Sequence, residues 1–178
     1  MKMLLTAEQL REGVRRIAGE VNAFYEGRPL TIVGVLTGSI VFVADLIRQL
    51  DLSLRVGVIQ ARSYRGAATS PGPLEINADL LPDIRGRHVL LVDDIFDTGH
   101  TLFELMAQVD RLAPSSVRSA VLLRKRGRQE VRLEPDHVGF EIPNEFVVGY
   151  GLDHQDLYRH LPYVASLEDS DLQQERLG

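Results

Sequence analysis

The chain has 178 residues, 44% hydrophobic and 25% charged, with 20 Lys and Arg against 25 Asp and Glu for a net charge of −5. These are the proportions of one ordinary globular domain, and they exclude disordered, collagen-like and disulfide-stapled chains. With no cysteine there are no disulfides, thiolate nucleophiles or zinc–thiolate sites; the acidic balance disfavours a nucleic-acid surface, and a reducing, cytoplasmic setting is expected. Met1 to Gln9 builds no apolar signal core, and the rich run Ile32 to Ile47 is broken by Gly34, Thr37, Gly38, Ser39 and Asp45, so neither secretion nor a membrane span is expected. Thr6-Ala-Glu-Gln9 reads as a capping box, after which Leu10, Val14, Ile17 and Val21 recur at helical spacing to about Phe24. Gly27, Arg28 and Pro29 end that helix, and the β-branched run Leu30 to Leu36 has the pattern of a strand covered on both faces. Thr37-Gly38-Ser39 breaks the run, and Ile40 to Leu50 is helical again.

A second strand is expected from Ser53 to Ala61, followed by a long Gly- and Pro-containing loop, Arg62 to Glu75, which reads as mobile. His88 to Val92 is a buried strand that leads into Asp93-Asp94-Ile95-Phe96-Asp97-Thr98-Gly99, and Leu102, Leu105, Met106, Val109 and Leu112 mark the helix beyond. Val117 to Leu123 is a strand, Val131 to Leu133 a short one, and Val138 to Ile142 and Phe146 to Tyr150 a further pair. Residues 167–178 are polar and acidic and are expected to fray. Alternating strands and helices without a repeat or a linker predict one α/β domain over 1–178, with a mostly parallel sheet flanked by helices.

In open α/β sheets ligands bind at the carboxyl ends of strands. Three carboxylates, Asp93, Asp94 and Asp97, fall within five residues at such an end, where their mutual repulsion asks for a cation, hydroxyls or amides. Thr98-Gly99-His100-Thr101 then opens a helix, whose free amides and dipole suit a phosphate. Carboxylates beside a phosphate cradle fit a sugar phosphate. The competing reading is that Asp93 and Asp97 only cap the helix, and composition alone leaves the two about even. The nucleotide-binding glycine patterns and the His-Glu-x-x-His metal motif are absent from the sequence.

The run Val89-Leu-Leu-Val-Asp-Asp-Ile-Phe-Asp-Thr-Gly-His-Thr-Leu102 resembles the phosphoribosyl-diphosphate (PRPP) motif of the phosphoribosyltransferases. Val138-Gly-Phe-Glu-Ile-Pro-Asn-Glu-Phe-Val-Val-Gly-Tyr-Gly-Leu-Asp153, with Tyr158-Arg159-His-Leu-Pro162 after it, is similar to the C-terminal signature of the hypoxanthine-guanine phosphoribosyltransferases. The likeness covers about residues 4 to 165. It implies the type I phosphoribosyltransferase fold, a Rossmann-like sheet with a small hood made from the N- and C-terminal segments. It also implies purine salvage: transfer of the phosphoribosyl group from PRPP to hypoxanthine or guanine, giving IMP or GMP and pyrophosphate, with Mg²⁺, in a homodimer or homotetramer.

Laid on this sequence, the resemblance implies that Asp93 and Asp94 meet the ribose hydroxyls and that Asp97, Thr98, Gly99, His100 and Thr101 hold the 5′-phosphate. Asp97 would also exchange the proton at N7 of the purine, and Lys125 would donate to its O6. Phe146 would stack on the base with Ile95 opposite, and the carbonyls of Val147 and Asp153 would face C2. Leu36, Thr37, Gly38 and Arg159 would contact pyrophosphate, Ser63 and Tyr64 would lie on a closing loop, and Asp153 with Asp93 and Asp94 would hold the metal. The family's cis peptide would fall at Leu36-Thr37. Two departures stand out: Thr37 where a lysine is common, and His100, which reads as a bystander. Taken singly, Phe146 reads as core, and Lys125 beside Arg124 and Arg126 as a solvated charge run. A rival function on the same fold is a PRPP- or nucleotide-sensing regulator, which would lose the base-site residues and gain a basic face. Preference for xanthine is a further alternative, because main-chain carbonyls at C2 leave it open.

Overall fold

The computed structural model describes residues 1–63, 74–168 and 171. In chain order the elements are β1 (Lys2–Leu5), α1 (Ala7–Tyr25), β2 (Leu30–Leu36), α2 (Ile40–Ile47), β3 (Leu54–Ser63), β4 (Leu74–Asn77), β5 (His88–Phe96), α3 (His100–Asp110), β6 (Ser116–Lys125), β7 (His137–Ile142), β8 (Val147–Val148) and β9 (Val164–Ser166). The helices start and stop for local reasons. At α1 the Thr6 hydroxyl accepts from the Gln9 amide at 3.2 Å while the Gln9 side chain accepts from the Thr6 amide at 2.8 Å, the reciprocal cap expected from the sequence. α3 ends where Ala113 turns to a φ of 56° ahead of Pro114, which leaves Leu112 exposed beyond the helix.

The main sheet has the order β4-β3-β2-β5-β6-β7; β3, β2, β5, β6 and β7 are parallel and only β4 runs against its neighbour. Period-2 alternation sends Ile32, Leu90 and Leu122 to one face, against Leu10, Val14, Ile17 and Phe42 of α1 and α2. It sends Val33, Leu91 and Val121 to the other, against Leu102, Leu105 and Val109 of α3. Each central strand is thereby buried on both sides, which is why β2 and β5 read as unbroken apolar runs. Parallel register stacks the strand ends Leu36, Phe96 and Lys125 along one edge of the sheet; Phe96 pairs with Arg124, so Asp97 follows directly beside Lys125.

β1, β9 and β8 form a separate antiparallel sheet over that edge, the hood implied by the family resemblance. Several sequence-based boundaries are corrected. β5 continues to Phe96, so Asp93 and Asp94 lie in the strand rather than after it. α2 stops at Ile47, and Val131 to Leu133 form no strand because the chain there is a loop pinned by side chains. The second strand of the late pair shrinks to Val147–Val148 and joins the hood instead of the main sheet. The expected loop 62–75 is flanked by β3 up to Ser63 and β4 from Leu74, and its residues 64–73 lie outside the described residues. Of the expected frayed tail, the Leu167 amide donates to the Phe146 carbonyl at 3.1 Å and Glu168 pairs with the amino terminus; 169–170 and 172–178 lie outside the described residues. No described helix is long and apolar enough to cross a membrane.

Candidate active site

The end of β5 places Asp93 almost fully out of water, at 7% exposure, with Asp94 partly buried beside it. The Asp94 amide donates to Asp93 Oδ1 at 2.9 Å and the Ile95 amide to Asp94 Oδ1 at 2.8 Å, so both carboxylates are held by their own strand. Burial pushes the Asp93 carboxyl well above the usual range, and the charge of Asp94 pushes it further. Burial raises Asp94 as well, against hydrogen bonds from Asp93 and the Ile95 amide that favour its ionised form. The pair therefore resists double ionisation. The capping alternative fails for both: the residue before α3 is Gly99, with no side-chain cap, and Asp97 is turned elsewhere.

Gly99 has a φ of 90°, and a Cβ there would press into the Phe96 ring and Val131. Only glycine takes that backbone so close to a neighbouring side chain, and the turn aims the loop at the start of α3. On the next strand the Leu36–Thr37 peptide is cis, as the resemblance implied, and Gly38 lies directly against the Asp94 carboxylate. Leu36, Gly38, Asp93, Asp94, Asp97, Thr98, Gly99 and Thr101 together line a cavity of about 290 Å³. Thr37 is exposed beside it. His100 does not line it, and its Nε2 instead meets Glu130 Oε2 at 3.0 Å on the surface.

A second cavity of about 280 Å³ adjoins the first through Asp94, Ile95 and Asp97, and is otherwise lined by Lys125, Phe146, Val147, Leu152 and Asp153. Both single-residue readings of its ends fail. Phe146 is 53% exposed rather than core, and its ring meets that of His154 edge-on at 5.3 Å. The Lys125 side chain is only 12% exposed, unlike that of Arg126 at 69%, and its Nζ donates to Asp97 Oδ2 at 3.2 Å. Arg128 Nε donates to the other oxygen, Oδ1, at 2.9 Å. Burial opposes the charge on Asp97, but these hydrogen bonds outweigh it and hold the carboxyl below its ordinary value. Arg128 was not legible beforehand. The available signal was Gly127, which turns the basic run Lys125 to Arg128 back toward the acidic loop.

Arg159 lines neither cavity. Its guanidinium engages Asp153 Oδ1 and the Gly151 carbonyl, each at 2.9 Å, and Asp156 Oδ1 at 3.0 Å, although its charge still acts on Asp94. Gly151, with a φ of 101°, sits against the Gly38 carbonyl, so the hood loop and the loop after β2 touch backbone to backbone. The expected trio of metal ligands is not assembled: Asp153 Oδ2 also accepts from the Asp156 amide at 2.8 Å, and no three acidic or histidine side chains among the described residues converge on one point. What remains, two adjacent buried carboxylates that resist double charge, fits a hard cation carried mainly by substrate oxygens. Ser63 closes β3, and Tyr64 lies outside the described residues.

The sequence profile of the phosphoribosyl transferase domain matches residues 1–155. The hypoxanthine-guanine phosphoribosyltransferase of Streptococcus pneumoniae is 39% identical over 168 residues, covering 94% of this chain and 93% of that protein. A crystal structure of a hypoxanthine phosphoribosyltransferase from Staphylococcus aureus superposes with a TM-score of 0.90 at 36% identity, over 96% of this chain and 92% of that one. The hypoxanthine phosphoribosyl transferase of Trypanosoma cruzi superposes with a TM-score of 0.91 at 34% identity, over 100% and 96% of the two chains. By sequence along nearly its whole length, and by the shape of both the sheet and the hood, the chain belongs to the hypoxanthine-guanine phosphoribosyltransferases.

Proposed function

We propose that the protein transfers the 5-phosphoribosyl group of PRPP to N9 of hypoxanthine or guanine, releasing IMP or GMP and pyrophosphate. The observation that carries this reading is the Lys125–Asp97 pair, a donor and an acceptor 3.2 Å apart on the wall of the cavity that ends in Phe146. A 6-oxopurine protonated at N7 presents the complement on one edge: O6 accepts from Lys125, and N7–H donates to Asp97. Adenine presents an amino group in place of O6 and would set donor against donor, a mismatch that sites built on hydrogen bonds reject strongly. Phe146 offers its ring to the face of the base and Ile95 closes the opposite side, while the carbonyls of Val147 and Asp153 are the candidates for reading C2.

The other cavity suits the sugar phosphate. The first turn of α3, with Thr98, Gly99 and Thr101, supplies amides and hydroxyls to the 5′-phosphate, and Asp93 and Asp94 accept from the ribose hydroxyls. Leu36, Thr37 and Gly38 present main-chain groups toward the pyrophosphate end, with the Arg159 charge behind them. As the bond from C1′ to pyrophosphate breaks, positive charge grows on the ribose beside the Asp93–Asp94 pair, whose geometry is fixed by its own strand before the reaction starts. Asp97, held ionised by Lys125 and Arg128, takes the N7 proton as N9 bonds to C1′. Mg²⁺, when bound with the diphosphate, neutralises its charge and eases its departure.

A homodimer or homotetramer in the cytoplasm fits this reading, and light scattering checks the first. The deciding experiment offers the purified protein PRPP and Mg²⁺ with hypoxanthine, guanine, xanthine or adenine. Turnover of hypoxanthine and guanine with adenine inert is expected, and xanthine tests the C2 contacts. Turnover of adenine at a similar rate would overturn the role given to Lys125.

A further inference from the structure

The carboxylate of Asp97 has two claims on it. One oxygen faces Lys125, which the base must engage, and the other is held by Arg128 at 2.9 Å. Arg128 lines neither cavity, so it stands behind the reacting groups. Its place is built rather than accidental. The side chain of the next residue, Gln129, donates to the carbonyls of Val131 and Leu133, each at 3.0 Å, and to Glu134 at 2.9 Å, and it accepts from Arg124 at 2.8 Å. The Glu130 amide donates to the Thr98 carbonyl at 2.9 Å, which ties the same segment to the phosphate loop.

We propose that Arg128 is a positioning residue for the transfer reaction, fixing one oxygen of Asp97 so that the other stays aimed at the base after Lys125 has turned to the base's oxygen. The inference rests on the reading of Asp97 as proton acceptor. Without Arg128, a base that engages Lys125 leaves Asp97 with no side-chain donor among the described residues to orient it, and its carboxylate is free to rotate about its terminal bond. Arginine is suited to the task because Nε and the two terminal nitrogens form a rigid plane, whereas a lysine would offer one mobile point.

The test is a kinetic cycle on the full-length protein with Arg128→Gln, Asp97→Asn and the double variant, measuring kcat and the KM for PRPP with hypoxanthine. Arg128→Gln is expected to lower kcat roughly 10- to 100-fold, the usual penalty for a misplaced catalytic group, with the KM for PRPP unchanged. In the Asp97→Asn background the same change is expected to have no further effect, since its target is gone. Arg128→Lys, which keeps the charge, replaces the glutamine variant if that fails to fold, and it is expected to recover only part of the rate. Losses that multiply in the double variant, or a raised KM for PRPP, would overturn the positioning role and give Arg128 a direct contact with the phosphate. Wild-type kcat in Asp97→Asn alone would instead remove Asp97 as acceptor, and the inference with it.

Discussion

Replacing Gly151 with alanine tests whether hood and sheet are locked together at the site. The backbone there has a φ of 101°, outside the range L-residues favour, which costs about 1–2 kcal/mol. The added Cβ would also fall well inside contact distance of the Gly38 carbonyl, with backbone on both sides and no flexible side chain to yield. Overpacking of that kind costs about 1–3 kcal/mol. A combined loss near 3 kcal/mol lowers the melting temperature of a chain of this size by roughly 6–12 °C. Gly19→Ala is the control: it lies on the exposed side of α1 with nothing within 4 Å of the new carbon, and should stabilise by about 0.5–1 kcal/mol. Urea and thermal unfolding of both variants, each with and without PRPP, provide the measurement. A Gly151→Ala protein as stable as the parent, with PRPP stabilising it equally, would show that the two loops are not in the contact described.

Three further outcomes are expected. Lys125→Met removes a charged hydrogen bond worth about 1.5–3 kcal/mol, so kcat/KM for hypoxanthine should fall roughly 10- to 150-fold while adenine, expected to be a poor substrate of the parent, should show no comparable fall; competition assays with both bases decide it. Asp93 binds its proton more tightly folded than unfolded, so its ionisation weakens the fold as pH rises from about 4 through the raised folded value. Asp93→Asn should therefore be the more stable protein at pH 8, with the advantage vanishing toward pH 4, and urea midpoints that differ equally at both pH values would contradict this. His100→Ala breaks only an exposed pair with Glu130, so stability should move by less than about 0.5 kcal/mol and kcat/KM by less than about twofold; a large loss of PRPP affinity would make His100 a ligand.

What could be read from the sequence divides along physical lines. The capping box, the apolar stripe of α1 and the buried runs of β2 and β5 are local patterns, and each appears where its period placed it. The acidic loop was legible because three carboxylates at a strand end repel one another and ask for a ligand, and it was the family resemblance that tipped the balance against helix capping. β1 and β9 were not legible, and β8 only as a longer strand from Phe146 to Tyr150, since strands of two to four residues carry too little periodicity and exist through pairing with distant partners. The pairing of Asp97 with Lys125 follows from the register of β5 on β6, which no local pattern encodes, and the part played by Arg128 depends on a loop knotted by Gln129 side-chain bonds. Burial of Lys125 and exposure of Phe146 reverse the usual habits of both residue types, and composition always predicts the habit.

The pairing of β1 with β9 brings the first residues of the chain against the last strand, with the amino terminus bonded to Glu168 across 167 positions of sequence. The strands that carry Asp93 and Lys125 take their strand partners from between residues 30 and 142, whereas the hood sheet pairs Lys2–Leu5 with Val164–Ser166. Such long-range closure is the slowest kind to form. On the ribosome the parallel sheet can take shape while β9 is still unmade, and β1 waits unpaired until Val164–Ser166 has emerged. The hood is thus the last part to be completed, and a chain cut short before Val164 would keep every residue that lines the two cavities while losing the strand that holds Val147 and Val148 in place.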